Sequence, residues 1–279
     1  MLANDYGGVA ALCRLLDLAE SSYYHEGPGH CDVADDLALL RALTMLAGKH
    51  PTYGYRRLAV LVRNSKSWKE VNAKRVRRIL KMAGITARKS RRYLLTTDSS
   101  HSFRRYPNLV RDWSVVDHPD QVWVCDITYI ILATGEIVYL AIVMDVFTRM
   151  IRGWELGTDL THSLVVNALI RALKRGVCEI HHSDQGIQYA TPVYTAILTQ
   201  HGIQISMSDK GSAWQNGYAE RWMRTLKEEE VYLTEYQTYQ DALKQIGKFI
   251  DIVYNKKRIH SALGYLTPVQ YEAQWRAEQ

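Results

Sequence analysis

The chain has few cysteines, and they form no pattern. All four stand alone in the sequence without a CxxC pair: Cys13, Cys31, Cys125 and Cys178. A disulfide framework or a cysteine zinc site needs paired, regularly spaced cysteines, so neither is predicted. His25 and His30 lie near the first two cysteines but lack the paired histidine spacing of a structural zinc domain. We expect the cysteines to be core residues.

Long apolar runs are also missing. No uncharged apolar stretch reaches the roughly 18 residues that a helix needs to span a bilayer. The first residues, MLANDYGGVAALCRLL, lack the basic start of a secretory signal. A hydrophobic content of 47% and an aromatic content of 10% are ordinary for a folded chain and exclude disorder as the main state. Together these features predict a cytoplasmic protein with no membrane partner.

Acidic residues are scarce in one segment of the chain. Residues 63–92 contain 12 lysines and arginines and one acid, Glu70, whereas the whole chain has a net charge of +6. Such a segment can be the solvated face of a helix. Its charge density, with tyrosine and tryptophan in and around it, favours binding to a phosphate backbone.

Apolar periodicity divides the chain into helical and strand-rich parts. Residues 8–24 have the pattern of a small helix-turn-helix, and Asp32 can cap the helix that follows. Two further helices follow, of which the second, KEVNAKRVRRILKMAGI, is strongly basic and ends near Gly84. Two short helices with one basic face are typical of a helical DNA-binding domain.

The strand-rich part begins at about Asp117. Three strands with short connections predict an antiparallel meander, and alternating helices and strands then give the order β-β-β-α-β-α-β-α. This order predicts a ribonuclease-H-like α/β fold with a mixed sheet, between an N-terminal all-helical DNA-binding region and a C-terminal helical extension. The predicted segments are a helix-turn-helix-like start (1–30), a basic helical DNA-binding domain (31–92), a basic linker (93–116), the catalytic core (117–235) and the helical extension (236–279).

Three carboxylates occupy unusual places in the predicted core. Asp126 lies within the apolar strand VWVCDITYI, Asp184 ends the fourth strand, and Glu220 begins the last long helix, with 35 residues between the last two. Each alone has an ordinary explanation: a strand-end acid, a turn acid, or a helix-start acid favoured by the dipole. The three together at these spacings favour a shared metal site, because a buried carboxylate needs a partner and Mg²⁺ prefers oxygen ligands.

The spacing resembles the DD(35)E triad of retroviral-integrase-like transposases. The stretches HHSDQGIQY and SAWQNGYAERWMRTLKEE resemble the surroundings of its second and third acids. Outside the core, YGYRRL, VNAKRVRRILKMAGI and YNKKRIHSALGYLTP are similar to the second-frame transposase of the insertion-sequence-3 family. The resemblance extends over nearly the whole chain.

The resemblance implies metal-dependent DNA strand cleavage and strand transfer at the terminal inverted repeats of an insertion sequence. Two ions, Mg²⁺ or Mn²⁺, would be held by the acids, with Asp126 contacting both and Asp184 and Glu220 one each. Water would attack in the first cut, and a DNA 3′ hydroxyl in strand transfer into the other end or into target DNA. Because both ends must be held together, the family implies a homo-oligomer, at least a dimer, and an upstream-frame partner, acting at the bacterial nucleoid.

Other side chains are candidates for DNA contact or for a place near the acids. The candidate DNA contacts are basic or aromatic: Arg56, Arg57, Lys74, Arg75, Arg77, Arg78, Lys81, Lys89, Arg91, Arg92, Trp214 and Lys227. Asp145 ends the second strand and is more readily a structural residue. Strand alternation should send His181 and His182 to opposite faces, so at most one of them faces the acids.

Two rival functions stay open at this point. A nuclease or resolvase on the same core would cut DNA without joining ends. A non-catalytic DNA-binding partner of a fused transposase would not need the acids at all.

Overall fold

The computed structural model describes residues 33–87, 103–209 and 211–279. They belong to two compact units, which divide between Thr86 and Ala87. We refer to them as the helical unit and the core unit. The predicted N-terminal helix-turn-helix, the Asp32 cap and residues 93–102 of the predicted basic linker lie outside the described residues. In the described part of the chain, no helix is both long and apolar enough to cross a membrane.

The described residues of the helical unit form three α-helices: α1 (Val33–Lys49), α2 (Tyr55–Arg63) and α3 (Ala73–Met82). The Asn72 side chain caps α3 by accepting a hydrogen bond from the Lys74 amide at 2.8 Å. Gly84 takes a left-handed φ of +66° directly after the helix, as the sequence predicted. Apolar residues on one side of each helix form the small core, led by Leu39, Leu43, Leu58 and Val76.

In the part of the core unit that the structure describes there are five strands: β1 (Val122–Ile131), β2 (Ile137–Asp145), β3 (Ile151–Gly157), β4 (Ile180–Ser183) and β5 (Gln204–Met207). The strand order is β3-β2-β1-β4-β5. The first three strands pair antiparallel, and β4 and β5 pair parallel to β1. The predicted meander and mixed sheet are therefore present.

Helices cover both faces of this sheet. Between and after the strands come α4 (His162–Leu173), a single turn α5 (Ile187–Ala190), α6 (Pro192–Gln200), α7 (Gly217–Glu229), α8 (Tyr239–Lys248), a π-helical segment (Phe249–Tyr254) and α9 (Pro268–Ala277). Side chains of β1 alternate between the faces, because successive strand residues point in opposite directions. Val124 packs with Trp222 of α7, whereas Trp123 and Cys125 pack with Leu169 of α4.

The β3 strand and α4 approach each other closely at Gly153. A Cβ atom there would lie 2.2 Å from the backbone oxygen of Ala168. Only glycine fits at this contact. The close approach lets α4 pack directly on the sheet, so that α4 covers the face that carries Trp123 and Cys125.

Two predicted boundary segments are integrated into the core unit. Residues 103–116, within the predicted linker, include the buried Val110, and the Leu109 amide donates to Ser206 Oγ at 2.9 Å. In the predicted extension, Ile246, Phe249 and Ile250 are buried in the same apolar cluster as Trp222. Both segments therefore contribute to the core that supports the sheet.

Candidate active site

The sheet register brings the two predicted aspartates side by side. Val122 and Val124 of β1 pair with Ile180 and His182 of β4 in parallel register. Asp126 and Asp184 each follow two residues after the last of these pairs, on β1 and directly after β4. Because neighbouring strands lie about 4.8 Å apart, the two aspartates come side by side. Both aspartates line one recess, together with Thr128, Gln188 and Tyr189 among others.

Each aspartate accepts a hydrogen bond from a nearby backbone amide. Asp126 Oδ1 accepts from the Ile127 amide at 2.8 Å, and Asp184 Oδ1 accepts from the Gly186 amide at 2.9 Å. These local bonds fix the carboxylate orientations without neutralising their charge. Lone pairs on the second oxygen of Asp126 can therefore serve a ligand.

The third acid, Glu220, lies in the first turn of α7 and is exposed. The start of this helix is tied to β1, because Asn216 Nδ2 donates to the Cys125 backbone oxygen at 2.9 Å. Since Cys125 directly precedes Asp126, this hydrogen bond joins the two elements that carry the first and third acids. We call Asp126, Asp184 and Glu220 the acidic triad.

The electrostatics of the triad are those of crowded like charges. Burial, then the Asp184 charge, raise the pKa of Asp126 to about 8, with a smaller contribution from Glu220. The Ile127 amide and the Lys227 charge offset this only in part. Desolvation raises the pKa of Glu220, and Asp184 adds to that rise while Arg224 opposes it. Negative charge at this place is therefore costly until a cation binds.

The donor set fits hard divalent cations. Carboxylate oxygens are the ligands that Mg²⁺ and Mn²⁺ prefer, and mutual repulsion among them is relieved by a bound positive charge. Among the residues that the structure describes, no three His, Cys, Asp or Glu side chains are grouped closely enough to surround one ion. Such a site would have to hold its ions through pairs of carboxylates.

Two predicted DNA contacts belong to the elements around the third acid: Lys227 lies on α7, and Trp214 lies in the turn before that helix. Lys227 on α7 places its Nζ atom 4.7 Å from the centre of the Tyr129 ring. Burial lowers the pKa of Lys227, while the charge of Asp126 raises it. Trp214 belongs to the short 3₁₀ turn Ala213–Asn216, and it is 70% exposed. An indole this exposed, six residues before Glu220 in the sequence, is available for contact with a ligand.

Asp145 belongs to a different group of charges. It pairs with Trp123 at the start of β1, three residues before Asp126, and it is fully buried. Its carboxylate accepts from the Asp120 amide at 3.0 Å and from the amide and hydroxyl of Thr148. Burial raises the pKa of Asp145 despite these bonds, which nevertheless satisfy the carboxylate within the fold. The structure confirms the structural interpretation of this residue.

The two histidines of β4 point to opposite faces, as predicted. His181 lies on the α4 face, where its Nε2 atom is 2.7 Å from the Tyr194 hydroxyl oxygen. His182 lies on the other face, with its Nδ1 atom 2.8 Å from Ser206 Oγ. Burial lowers the pKa of His181 to about 3 and that of His182 to about 4. Both are buried neutral side chains, and they pack against β4 from its two opposite faces.

The basic residues of the helical unit fall into two groups. Arg75 donates through Nε to Asp36 at 2.8 Å and through Nη2 to Asp35 at 2.6 Å, and Arg78 donates to Asp36 at 2.8 Å. These two arginines therefore tie α3 to the start of α1.

The second group lies over tyrosine rings or in solvent. The guanidinium carbons of Arg56 and Arg77 lie 5.4 Å and 5.6 Å from the centre of the Tyr55 ring, and that of Arg57 lies 5.0 Å from the Tyr53 ring. Lys74 and Lys81 are exposed on α3. The predicted contacts Lys89, Arg91 and Arg92 lie outside the described residues.

Sequence reasoning missed two groups of polar side chains. Arg152 on β3 is buried among acids that come from distant parts of the chain, and Gln215 and Asn216 are buried polar residues beside the exposed Trp214. A single arginine in the apolar strand IRGWELG was a signal for the first group. No local pattern distinguishes the two buried amides from ordinary loop residues.

Family models match both units of the chain. Two models described as "Integrase core domain" match residues 116–213 and 201–268, and one described as "HTH-like domain" matches residues 34–93. The chain thus belongs to the class of integrase-core proteins. Its mixed five-stranded sheet carries acids on β1, after β4 and on α7.

Curated relatives are similar over most of their length. The "Insertion element IS600 uncharacterized 31 kDa protein" of Shigella sonnei is 32% identical, over 95% of this chain and 98% of the relative. The "Transposase for insertion sequence element IS904" of Lactococcus lactis is 34% identical, over 79% and 87%. The "Transposase InsF for insertion sequence IS3A" of Escherichia coli K12 is 30% identical, over 95% and 93%. The chain therefore belongs to the insertion-sequence-3 family of transposases.

Solved integrases show a more distant likeness. The HTLV-2 integrase catalytic core domain in complex with magnesium (trimeric form) is 15% identical with a TM-score of 0.44, over 56% of this chain and 97% of that one. The integrase of the simian T-cell lymphotropic virus intasome with PP2A regulatory subunit B56 gamma is 16% identical with a TM-score of 0.49, over 83% and 74%.

Proposed function

We propose that this chain is a DDE transposase that cleaves DNA strands at the ends of an insertion sequence and transfers them with the help of divalent metal ions. The observation that carries the proposal is the acidic triad, which collects three carboxylates at one end of the sheet and gives Asp126 no cation strong enough to keep its pKa low. In a member of this transposase family, such a group is a site for metal ions.

The acids have distinct tasks in this proposal. By the family pattern, Asp126 would be the ligand common to two ions, Mg²⁺ or Mn²⁺, and Asp184 and Glu220 would each hold one. When bound, such ions activate the attacking oxygen and stabilise the leaving 3′ oxygen. The chain's own residues orient the ions through carboxylates that are fixed by the Ile127 and Gly186 amides and by the tie from Asn216 to β1.

No side chain needs to act as a nucleophile. In the first step, water attacks the scissile phosphorus, the bond to the 3′ oxygen breaks, and a 3′ hydroxyl is released. In the second step, that hydroxyl attacks another phosphodiester, a new P–O bond forms, and another 3′ hydroxyl leaves. Each step exchanges one P–O bond for another, so the exchange needs no oxidant, reductant or energy source.

The helical unit supplies DNA affinity. Arg56, Arg57 and Arg77, with the exposed Lys74 and Lys81, form the part of the basic surface that faces solvent rather than α1. Lys89, Arg91 and Arg92 continue the basic run along the sequence. Contacts from such residues to phosphates are independent of sequence and weaken with salt.

The core unit contributes contacts close to the reaction. Trp214, which is exposed in the turn before α7, can stack on an unpaired base at the cut end, since indole rings stack on any base. Lys227 can pair with a phosphate beside Asp126. These two side chains then position the DNA strand that the acids cleave.

The assembly follows from the reaction. Both terminal inverted repeats and a target DNA must be held at once, so the working form contains at least two copies of the chain, with the upstream-frame product as a further partner. A reaction on chromosomal elements places this assembly at the nucleoid in the bacterial cytoplasm.

The test is a cleavage and joining assay with DNA that carries both element ends, in Mg²⁺ or Mn²⁺. Glu220→Gln is compared with Glu228→Gln, which makes the same change two turns further along α7. We expect the wild type and Glu228→Gln to cut and join, and Glu220→Gln to bind DNA without cutting. Cutting without joining would favour a nuclease or resolvase. Binding without cutting by every variant, with the upstream-frame product also present, would leave a regulatory DNA-binding protein.

A further inference from the structure

In the segment that leads from β5 to α7, a large aromatic side chain is exposed and two polar side chains are buried, the opposite of the usual distribution. Its tryptophan, Trp214, is 70% exposed, while the next two polar residues, Gln215 and Asn216, are 7% and 3% exposed. Buried amides are costly unless they are hydrogen-bonded, so their burial has to be stabilised by specific partners.

Gln215 finds those partners on both sides. Its Oε1 atom accepts from the Asp209 amide at 2.6 Å and from Asn108 Nδ2 at 3.0 Å. Its Nε2 atom donates to Asp209 Oδ2 at 2.9 Å. One side chain thus joins the end of β5, the start of α7, and a segment more than a hundred residues earlier in the chain.

Asn108 is itself firmly held. Its Oδ1 atom accepts from the Val110 amide at 3.0 Å, and Val110 is buried. On either side, the Leu109 amide donates to Ser206 Oγ and the Met207 amide donates to the Pro107 backbone oxygen. The early segment is therefore a fixed support along β5.

We propose that Asn108 and Gln215 form a latch that sets the position of Glu220 before metal or DNA binds. Both are positioning residues, because they act through the segment that carries Glu220 and touch none of the reacting atoms. Asn216 completes the device by tying the same segment to β1 beside Asp126. The latch orders this segment during folding, so the entropy cost of ordering it is not added when metal or DNA binds.

This inference rests on the proposed function only for its effect on catalysis. The order of the segment is a property of the metal-free, DNA-free chain and can be measured without any activity. The two claims can therefore fail separately.

The test uses Asn108→Asp, which removes the donor to Gln215 but keeps the oxygen that accepts from the Val110 amide. Gln215→Leu removes all three hydrogen bonds of the Gln215 side chain and keeps a side chain of similar volume. Gln204→Leu, the same change at an exposed position on β5, is the matched control. If Gln215→Leu does not fold, Asn108→Asp alone carries the test.

Hydrogen–deuterium exchange of residues 211–219 is the first readout, on the full chain without metal or DNA. We expect exchange to become about 10-fold faster in the latch variants and to stay unchanged in Gln204→Leu, as loss of local hydrogen bonds predicts. Unchanged exchange in both latch variants, or an unprotected segment in the wild type, would overturn the proposal even if activity were lost.

Single-turnover end cleavage is the second readout. We expect the latch variants to cleave about 10- to 100-fold more slowly at unchanged DNA affinity, because a misplaced carboxylate harms the reaction and not the binding. Wild-type rates in variants whose segment has become mobile would contradict the positioning role. Absence of cleavage by the wild type would count against the proposed function, and the exchange result would still decide the latch.

Discussion

The core unit holds two groups of carboxylates with opposite surroundings. In the first, the arginine cluster, Arg152 Nη1 donates to Glu272 at 2.8 Å, Nε lies 2.8 Å from Asp120, and Nη2 lies 3.9 Å from Asp145. In the second, the acidic triad, Asp126 accepts a hydrogen bond from the Ile127 amide, and the charge of Lys227 lowers its pKa only slightly. Both groups are at least partly buried, so burial alone does not distinguish them.

The difference lies in the partner that each group meets. Burial raises the pKa of Glu272, but the hydrogen bond and charge of Arg152, with those of Arg276, outweigh it and hold the pKa below its usual value. No such guanidinium lowers the pKa of Asp126, which rises to about 8. An acid beside a guanidinium is compensated within the fold, whereas Asp126, crowded by the charges of Asp184 and Glu220, marks a place where a bound cation can supply positive charge.

The largest expected effect is on activity. Asp126→Asn should lower end cleavage by more than about 1,000-fold, because the central metal ligand is lost, while DNA binding stays intact. Glu272→Gln should leave the cleavage rate of the folded protein near that of the wild type. The two variants are compared by single-turnover cleavage and by DNA titration. Equal losses of activity in both variants would remove the distinction between the two groups.

The next effect is on stability. Arg152→Met should lower the free energy of unfolding by about 3–5 kcal/mol, because it leaves buried carboxylates without their cation. Arg171→Met removes the half-exposed pair with Glu155 and should cost less than about 1 kcal/mol. Urea unfolding measures both. A small loss in Arg152→Met would mean that water or other donors replace the guanidinium.

Some of this could be predicted from sequence, and some could not. The order of strands and helices along the chain was predictable because local periodicity encodes it, and the triad was predicted from its spacing together with the resemblance to DD(35)E transposases. The arginine cluster was not, since Asp120, Asp145 and Glu272 come together only through folding. The same limit applied to Arg75 and Arg78, whose partners lie about 40 residues earlier, and to the latch between Asn108 and Gln215.

The two groups should respond to pH with opposite signs. Asp126 has a raised pKa, so its ionisation destabilises the metal-free fold as pH rises from about 4 to about 8. Asp126→Asn should therefore gain stability relative to the wild type over that interval, on the order of 1 kcal/mol after allowance for solvent screening.

Glu272 has a lowered pKa, so its contribution is present above the usual glutamate range and is lost as pH falls through the lowered value. Glu272→Gln should lose stability relative to the wild type as pH rises from the lowered pKa of Glu272 through the usual glutamate value of about 4.3. Urea unfolding in chelator across pH 3–9 checks both slopes. Parallel slopes for the two variants would contradict the assignment.

The smallest effect concerns the arginines of the helical unit. They too are distinguished by whether an opposite charge within the fold pairs with them. Arg77→Ala should weaken DNA binding and reduce its salt slope by about 1, because a solvent-facing arginine is available to a phosphate. Arg75→Ala should leave the slope unchanged and lower stability slightly, because Arg75 pairs with Asp35 and Asp36. Titrations at several salt concentrations separate them. A slope change in Arg75→Ala and none in Arg77→Ala would reverse the assignment of the basic surface.

The most direct test of the central claim is a calorimetric titration of the metal-free protein with Mn²⁺. The wild type and Glu272→Gln should bind the ion and release protons at pH 7, since Asp126 is protonated below a pKa of about 8. Asp126→Asn should show no such binding. Equal Mn²⁺ binding by Asp126→Asn and the wild type, or no binding by the wild type, would show that the acidic triad is not a metal site.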